Sequence, residues 1–329
     1  MASREVSANS LVSTRSQTGL RFVWNLLRLG RPHFLVGGFL FHALGAIIAW
    51  YAGAGVNVPA WLYGQLAITS IQLMTHYSND YFDHAADQAN ATPTHWSGGS
   101  RVLVAGSVSP RVALWAALVC AVVALFAALA LAVGVNPGSL TLPLLLLSLA
   151  LAWSYSAPPL RLHTRGLGEL TVSLLVPGLT PLVGFYLQAG RLDWLPLLAV
   201  LPLCGLQFAM ILVINFPDAA GDAAVGKRTL AVRLGGAVTA RLYLSLLALV
   251  YAALPLLIWS GLPPLAALAM VVPLPLALVQ GWRVGRGLWR QPAAWNSLGF
   301  WSIVLLIGTT ALLCLAFLLL WAGNPFAAH

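Results

Sequence analysis

Long apolar runs separated by shorter polar stretches dominate the sequence. A helix of roughly 20 apolar residues is long enough to cross the hydrocarbon core of a bilayer. The runs therefore predict nine membrane-spanning helices, at residues 33–53, 60–82, 111–134, 139–157, 169–189, 194–216, 239–260, 263–281 and 297–321. The apolar positions are continuous rather than alternating, which excludes a membrane β-barrel. The pattern predicts an all-α integral membrane protein.

Basic residues fall on one side of these predicted spans. All but one of the 17 Lys and Arg residues lie before the first span or in an even-numbered connection, and the exception is Arg191. Connections rich in Lys and Arg remain in the cytoplasm. We therefore expect a multi-pass protein of the cell (inner) membrane, with its N-terminus in the cytoplasm and its C-terminus outside. The net charge of +9 reflects this topology, and nucleic acid is not expected as a partner.

Composition and terminal segments fit the same picture. Charged residues make up 8% of the chain, against about a quarter in soluble domains. The three cysteines lie inside apolar runs without the spacing of a disulfide framework or a zinc site. Residues 1–27 are polar and lack the apolar core of a signal peptide, so we expect a disordered cytoplasmic tail there. One domain is expected at residues 28–321, followed by a short C-terminal tail at 322–329.

Five of the eight acidic residues fall in two short clusters, each at the end of an apolar run. The first cluster comprises Asn79, Asp80, Asp83 and Asp87, and the second comprises Asn215, Asp218 and Asp222. On a helix, residues three or four positions apart share one face, so these like charges repel unless a cation binds between them. Carboxylate and amide oxygens are ligands of Mg²⁺, which commonly serves diphosphate-bearing substrates. The clusters therefore predict a Mg²⁺ site, with solvated helix ends as the alternative.

Candidate phosphate ligands lie in the same connections. Lys227 and Arg228 follow the second acidic cluster, where ammonium and guanidinium groups suit a diphosphate. Tyr155 and Arg161, in the fourth connection, could also reach a phosphate. Arg101 ends a Ser-Gly-Gly-Ser stretch whose backbone N–H groups could cradle an anion. Ordinary topological charges, an interfacial loop and a flexible turn are the respective alternatives.

The two clusters resemble the aspartate motifs of the UbiA superfamily of intramembrane prenyltransferases. The first reads Asn79-Asp80-x-x-Asp83-x-x-x-Asp87, and the second reads Asp218-x-x-x-Asp222 followed by Gly226-Lys227-Arg228-Thr229-Leu230. The resemblance covers residues 28–321 and implies nine helices around a central cavity that holds Mg²⁺ and prenyl diphosphate. It implies metal ligands at Asn79, Asp83, Asp87, Asp218 and Asp222, phosphate contacts at Lys227 and Arg161, and central catalytic roles for Asp83, Asp218 and Lys227. We also expect Asn79, Asp80 and Asn215 to contact the substrate.

The acceptor is less well defined by the residues. The Gly-Lys-Arg-Thr-Leu and Ser-Gly-Gly-Ser-Arg runs are similar to those of naphthoate prenyltransferases, whereas the run from Tyr155 to Pro159 resembles chlorophyll-synthase-like members. We expect transfer of a polyprenyl group from its diphosphate to a small aromatic quinone precursor such as 1,4-dihydroxy-2-naphthoate. The alternatives are 4-hydroxybenzoate, a chlorophyllide-like or lipid acceptor, or a cation-coupled transporter. No obligate protein partner is expected.

Overall fold

The regular structure of this chain is helical. A computed structural model describes residues 19–135 and 138–323, and no strand occurs among them. The predicted all-α fold is therefore confirmed. In chain order the helices are α1 (Gly19–Leu29), α2 (Pro32–Tyr51), α3 (Val58–Phe82), α4 (His84–Ala89), α5 (Pro110–Ala130), α6 (Thr141–Ser156), α7 (Gly168–Leu174), α8 (Thr180–Ala189), α9 (Trp194–Ile214), α10 (Ala219–Ala224), α11 (Leu230–Leu234), α12 (Gly236–Ala252), α13 (Leu254–Trp259), α14 (Pro264–Val271), α15 (Leu274–Gly285) and α16 (Pro292–Ala322).

When helices are judged by length and hydropathy, fewer than the predicted nine qualify as membrane spans. Among the described residues, six stretches are long and apolar enough to cross a bilayer: Pro32–Tyr51, Pro110–Val135, Gly168–Ala189, Trp194–Ile214, Gly236–Trp259 and Pro292–Ala322. The pair α14 and α15, bent by 41°, makes a seventh if it forms one span. Helices α3 and α6 occupy the two remaining predicted positions. The α3 helix carries several polar side chains and α6 has only 16 residues, so the count of nine is not confirmed.

Proline residues account for several irregularities in the long helices. Pro177 lies in a π-helical turn that joins α7 to α8, and Pro202 lies inside α9. Pro273 stands at the break between α14 and α15. Proline lacks the N–H that continues a helix, and the membrane tolerates the resulting bend where neighbouring helices or local readjustment satisfy the freed carbonyl groups.

Two glycines allow α2 and α8 to approach backbone to backbone. A Cβ atom added to Gly45 would overlap the carbonyl oxygen of Pro181, and one added to Gly184 would overlap the carbonyl oxygen of His42. Small residues permit such close approach between membrane helices, where dispersion rather than a hydrophobic driving force holds the pair. This contact joins the first and the fifth of the nine predicted spans.

Residues before the first span are more ordered than the sequence analysis predicted. Residues 19–27, assigned to a disordered tail, form most of α1. An apolar residue at every third or fourth position makes this segment a good amphipathic helix, and its last turn packs on the protein. Residues 1–18 of that predicted tail, and residues 324–329 of the C-terminal tail, lie outside the described residues.

The short helices α4 and α10 bring the two acidic clusters together. Helix α3 ends at Phe82 and α4 begins at His84, so Asp83 stands at the junction. Helix α9 ends at Ile214, and four residues separate it from α10, which begins at Ala219. The helices α4 and α10 contact each other, so the ends of the second and sixth predicted spans meet at one end of the bundle.

Candidate active site

Asn90 ties the first acidic cluster to the second. Its Nδ2 donates a hydrogen bond of 2.7 Å to Oδ1 of Asp218, and the backbone N–H of Gly98 donates to Oδ2 of the same carboxylate at 3.3 Å. Gly221 makes the contact possible, because a Cβ atom there would come within 2.9 Å of the Asn90 backbone. The sequence analysis did not single out Asn90. Its position after α4 gave no sign that it reaches across 128 residues of sequence.

Lys227 bridges the two clusters directly. Its Nζ lies 2.9 Å from Oδ2 of Asp83 and 3.3 Å from Oδ1 of Asp222. The backbone N–H of Lys227 also donates to the carbonyl oxygen of Asp222 at 2.8 Å, which sets the direction in which the chain leaves α10. Burial opposes the charge on Lys227, but the Asp83 and Asp222 carboxylates outweigh it and raise the lysine pKa above its usual value. Lys227 is therefore a charged lysine between two acidic motifs.

His163 is a second partner of Asp83 that the sequence analysis missed. Its Nε2 lies 2.5 Å from Oδ1 of Asp83, and its Nδ1 lies 2.6 Å from the carbonyl oxygen of Tyr155. Both ring nitrogens thus face oxygen acceptors, one from a carboxylate and one from the backbone. Burial raises the pKa of Asp83, yet the charges of Lys227 and His163 outweigh burial and hold this pKa well below its ordinary value. Asp83 is therefore held as a carboxylate.

Asn79 and Asp80 have different surroundings although they are adjacent. Asn79 Nδ2 donates to Oδ2 of Asp83 at 2.8 Å, so it faces the site. The buried Asp80 carboxylate is engaged instead by the guanidinium of Arg31 and by the hydroxyl and backbone N–H of Ser100. Asp80 was predicted to bind substrate, and the structure gives it protein partners from the start of α2 and from the connection after α4.

Three further carboxylates are poorly neutralised by the protein. Burial raises the pKa of Asp87 to about 6, and the charge of Asp83 adds to the effect. Burial raises the pKa of Asp218 to about 7, with a contribution from Asp222. Burial also raises the pKa of Asp222, whose Oδ2 is buried without a hydrogen-bond partner. An unpartnered buried carboxylate oxygen is costly and points to a missing ligand.

These carboxylates fit a hard divalent cation. Among the described residues no three His, Cys, Asp or Glu side chains converge as a ready-made metal centre. Mg²⁺ does not require one, because it commonly binds one or two carboxylates and completes its shell with water and substrate phosphate oxygens. The under-neutralised Asp87, Asp218 and Asp222 supply oxygen donors of that type on both sides of the site.

Two of the predicted phosphate ligands, Arg161 and Arg228, are exposed residues beside the acidic clusters. Arg161 lines a cavity of about 170 Å³ together with Asp83, Thr164 and Lys227. Arg161 is exposed, and its backbone has a left-handed conformation (φ 44°). Arg228 is also exposed, and its backbone N–H donates to the carbonyl oxygen of Thr164 at 3.1 Å. The fourth and sixth connections therefore meet beside Lys227.

Tyr155 and Arg101 contact different residues of the site. The ring of Tyr155 lies 5.2 Å from the ring of His163, so it packs behind the partner of Asp83. Arg101 has a positive φ of 63°, and its guanidinium donates to the backbone carbonyl of Asp87. The neighbouring Gly99 lies against the Asp87 carboxylate with no room for a side chain. The Gly-Gly stretch before Arg101 therefore encloses Asp87 and Asp218.

Asn215 contacts Glu169, another residue that the sequence analysis did not select. Asn215 Nδ2 and the backbone N–H of Leu230 each donate to Oε1 of Glu169 at 2.9 Å. The Glu169 side chain is buried at the start of α7, and its Oε2 has no hydrogen-bond partner. Glu169 thus joins the end of α9 to the segment that follows Lys227, so Asn215 is positioned beside the site through a carboxylate from another helix.

The sequence profile of the UbiA prenyltransferase family matches residues 38–304 of the chain. This chain belongs to the UbiA prenyltransferase family. It is 32% identical over 208 residues to the 1,4-dihydroxy-2-naphthoate octaprenyltransferase of Mycobacterium leprae, covering 59% of this chain and 67% of that protein. It is 26% identical over 217 residues to the protein of the same name from Bacillus subtilis, covering 65% and 68% respectively.

Solved structures of UbiA homologues share the fold. The Aeropyrum pernix K1 homologue superimposes with a TM-score of 0.65 at 18% identity, over 85% of this chain and 97% of that one. An Archaeoglobus fulgidus homologue, solved with GPP and Mg²⁺ bound, gives a TM-score of 0.60 at 15% identity, over 88% of this chain and 99% of that one. The chain is thus an integral membrane prenyltransferase of the UbiA family, and the alternative of a cation-coupled transporter is not supported.

The raised pKa of Asp218 predicts a pH-dependent stability for this UbiA prenyltransferase when metal is removed. A carboxyl whose pKa is about 7 when folded and roughly 4 when unfolded keeps a proton that the unfolded chain releases, so stability falls as pH rises between those values. In EDTA, raising the pH from 5 to 8 should therefore lower the stability of the wild type relative to that of Asp218→Asn by about 2–3 kcal/mol.

Thermal unfolding of the detergent-purified proteins measures this shift. Asp193→Asn is the matched control. Asp193 is partly exposed and paired with Arg191, and its pKa is lowered, so its carboxylate stays charged throughout that pH range. If the stability of the wild type and of Asp218→Asn changed with pH in the same way, the raised pKa of Asp218 would be contradicted.

Proposed function

We propose that the enzyme transfers a polyprenyl group from polyprenyl diphosphate to 1,4-dihydroxy-2-naphthoate, as in menaquinone synthesis. The observation that carries the proposal is the Lys227 ammonium held between Asp83 and Asp222, one from each acidic motif. The choice of acceptor is supported by the relatives, since four curated proteins that match the chain carry the name 1,4-dihydroxy-2-naphthoate octaprenyltransferase.

Bound Mg²⁺ would neutralise the negative charge that grows on the departing diphosphate. The residues proposed to hold it are Asn79, Asp83, Asp87, Asp218 and Asp222. Support comes from the raised pKa values of Asp87, Asp218 and Asp222, which a cation would lower by favouring the charged carboxylates. His163 and Lys227 keep Asp83 ionised in the absence of metal.

Basic side chains of this chain are proposed to bind the diphosphate itself. Lys227 is positioned to donate from between the motifs, and Arg161 borders the same cavity. Arg228, Arg101 and Tyr155 are proposed as further contacts around it. Hydrogen bonds from ionised donors to phosphate are stronger than neutral ones, and donors already in place stabilise charge that develops as the bond breaks.

Transfer to this acceptor breaks two bonds, the allylic C–O bond and the bond from the ring to its carboxylate, and forms one C–C bond. The C–O bond between the allylic carbon and the diphosphate breaks with its electron pair leaving on oxygen. The electron-rich aromatic ring forms the new C–C bond to the allylic carbon. Because the attacked carbon of 1,4-dihydroxy-2-naphthoate carries a carboxylate, loss of carbon dioxide restores the aromatic ring. The apolar spans shield the allylic cation from water.

The purified enzyme should release pyrophosphate from a polyprenyl diphosphate when 1,4-dihydroxy-2-naphthoate and Mg²⁺ are both supplied. We expect activity to disappear with EDTA and to return when Mg²⁺ is added. Assays that replace the acceptor with 4-hydroxybenzoate, a chlorophyllide or a lipid test the alternatives, and prenylated product is identified by mass. Prenylation of one of these acceptors in preference to the naphthoate would overturn the acceptor, and turnover in metal-free buffer would overturn the cofactor.

Asp83 and Asp218 should act as a unit if they hold one diphosphate through metal. Asp83→Asn and Asp218→Asn each keep an oxygen ligand but lose its charge, so each should lower pyrophosphate release about 100-fold or more. The double variant should be little slower than either single one, since losses within a catalytic unit are not additive.

Asp193→Asn, on the Arg191 connection and paired to that arginine, is the matched control and should retain full activity. Thermal stability is measured in parallel. A well-folded single variant with near-wild-type turnover, or multiplied losses in the double variant, would refute the shared role.

We also propose that the enzyme lies in the cell (inner) membrane with its N-terminus and active-site connections in the cytoplasm. The asymmetric distribution of basic residues supports this orientation. Both Arg165, in the fourth connection, and Arg191, in the fifth, are exposed. In intact cells a membrane-impermeant maleimide should label Arg191→Cys and spare Arg165→Cys until the cells are opened. The reverse labelling would invert the topology.

A further inference from the structure

An apolar stripe on α1 faces away from the protein. Leu20, Val23, Trp24 and Leu27 are exposed by 85%, 53%, 63% and 52% respectively. Their spacing of three, one and three residues places them on one face of the helix. Four adjacent large apolar side chains form a patch of the kind that marks an interaction surface rather than scattered exposure.

The opposite face of α1 fixes the stripe in this direction. Leu29 is fully buried, and Leu26 packs against the same group of core residues. The hydroxyl of Tyr77 donates to the carbonyl oxygen of Leu26 at 3.3 Å, and His76 Nδ1 lies 2.7 Å from the carbonyl oxygen of Gly30. Because α1 is attached to α3 at these points, the stripe is not free to turn inward and cover itself.

The residue that follows α1 locates the helix relative to the active site. Arg31 links α1 to the first span, and its guanidinium is paired with Asp80 of the first acidic cluster. Helix α1 therefore lies at the end of the bundle where the two acidic clusters meet. At that level the exposed side of a membrane protein faces the boundary between lipid headgroups and acyl chains.

The charges on α1 indicate which lipid surface it suits. Arg21 and Arg28 are both exposed, and the helix contains no acidic residue. An amphipathic helix with a polar face that carries arginine lies in the membrane interface and is attracted to anionic headgroups. A protein partner would have to cover the apolar stripe beside these cations and in competition with the bilayer.

We propose that α1 is an interfacial anchor that binds an anionic lipid surface, with its stripe in the acyl region and Arg21 and Arg28 on headgroup phosphates. The inference is independent of the acceptor and of the transferred group. Through the contacts of Leu26 and Gly30 with α3, this anchor also supports Arg31 in its pairing with Asp80.

Cysteine accessibility in purified protein reconstituted into vesicles tests the location of the stripe. In a variant with the three native cysteines replaced by alanine, Leu20→Cys and Leu27→Cys should react with a water-soluble maleimide at least about tenfold more slowly than Arg21→Cys, because lipid shields the stripe. Val122→Cys, on the exposed side of the span that contains α5, is the lipid-shielded reference, and Arg191→Cys is the water-exposed one.

Equal rates for the stripe and for Arg21→Cys would overturn the anchor. Free reaction in vesicles but protection in native membranes would also overturn it, because a protein partner would then be covering the stripe.

Lipid charge is tested with the same Leu27→Cys reporter. The reporter should react with maleimide about threefold more slowly, or slower still, in vesicles that contain phosphatidylglycerol than in phosphatidylcholine alone. The reason is that anionic lipid holds the two arginines at the surface. The Arg21→Gln/Arg28→Gln double variant should lose this difference. The control Arg111→Gln removes an exposed arginine at the start of α5 and should retain it. Identical protection in both vesicle types, or a difference that survives in the double variant, would refute recognition of anionic lipid.

Discussion

The Lys227 ammonium between Asp83 and Asp222 is the interaction on which the active-site end of this protein depends. Two carboxylates from motifs more than 100 residues apart repel each other in a partly dehydrated site, and the lysine offsets that repulsion. Removing one member of such a buried group leaves an uncompensated charge, which is strongly destabilising. The lysine thus holds the second motif against the first before any ligand arrives.

The carboxylates of the site are not equally neutralised by neighbouring cations. Asp83 is paired with Lys227 and contacts His163, and these two neighbours depress its pKa. Asp87 and Asp218 have too few such partners, and burial raises their pKa values. A protein that left no carboxylate unsatisfied would have little affinity for a metal and diphosphate. The imbalance therefore costs stability, and binding of the proposed cation would offset that cost.

The membrane explains why the chemistry lies at one end of the bundle. Within the spans every backbone polar group must find a partner, which limits the chain to helices. Irregular loops do not face lipid within the bilayer core, and charged side chains there are costly, so both are easier to place where the helices leave the bilayer. The connections after α3 and α9 carry the short helices α4 and α10 and the Gly-rich turn before Arg101. The spans thus act as scaffold for the candidate site, which lies at one end of the bundle.

The sequence by itself determined the helical class, the membrane location and the two acidic clusters, because hydropathy and local spacing need only neighbouring residues. It also placed Lys227 near the second cluster. Only the tertiary structure decided which groups those carboxylates meet: His163 on Asp83, Asn90 on Asp218, Arg31 on Asp80. These pairs join residues 49 to 128 positions apart, and no local pattern encodes such a distance. The helical order of α1 depended likewise on packing against α3, since a segment of 11 residues is too short to be a stable helix alone.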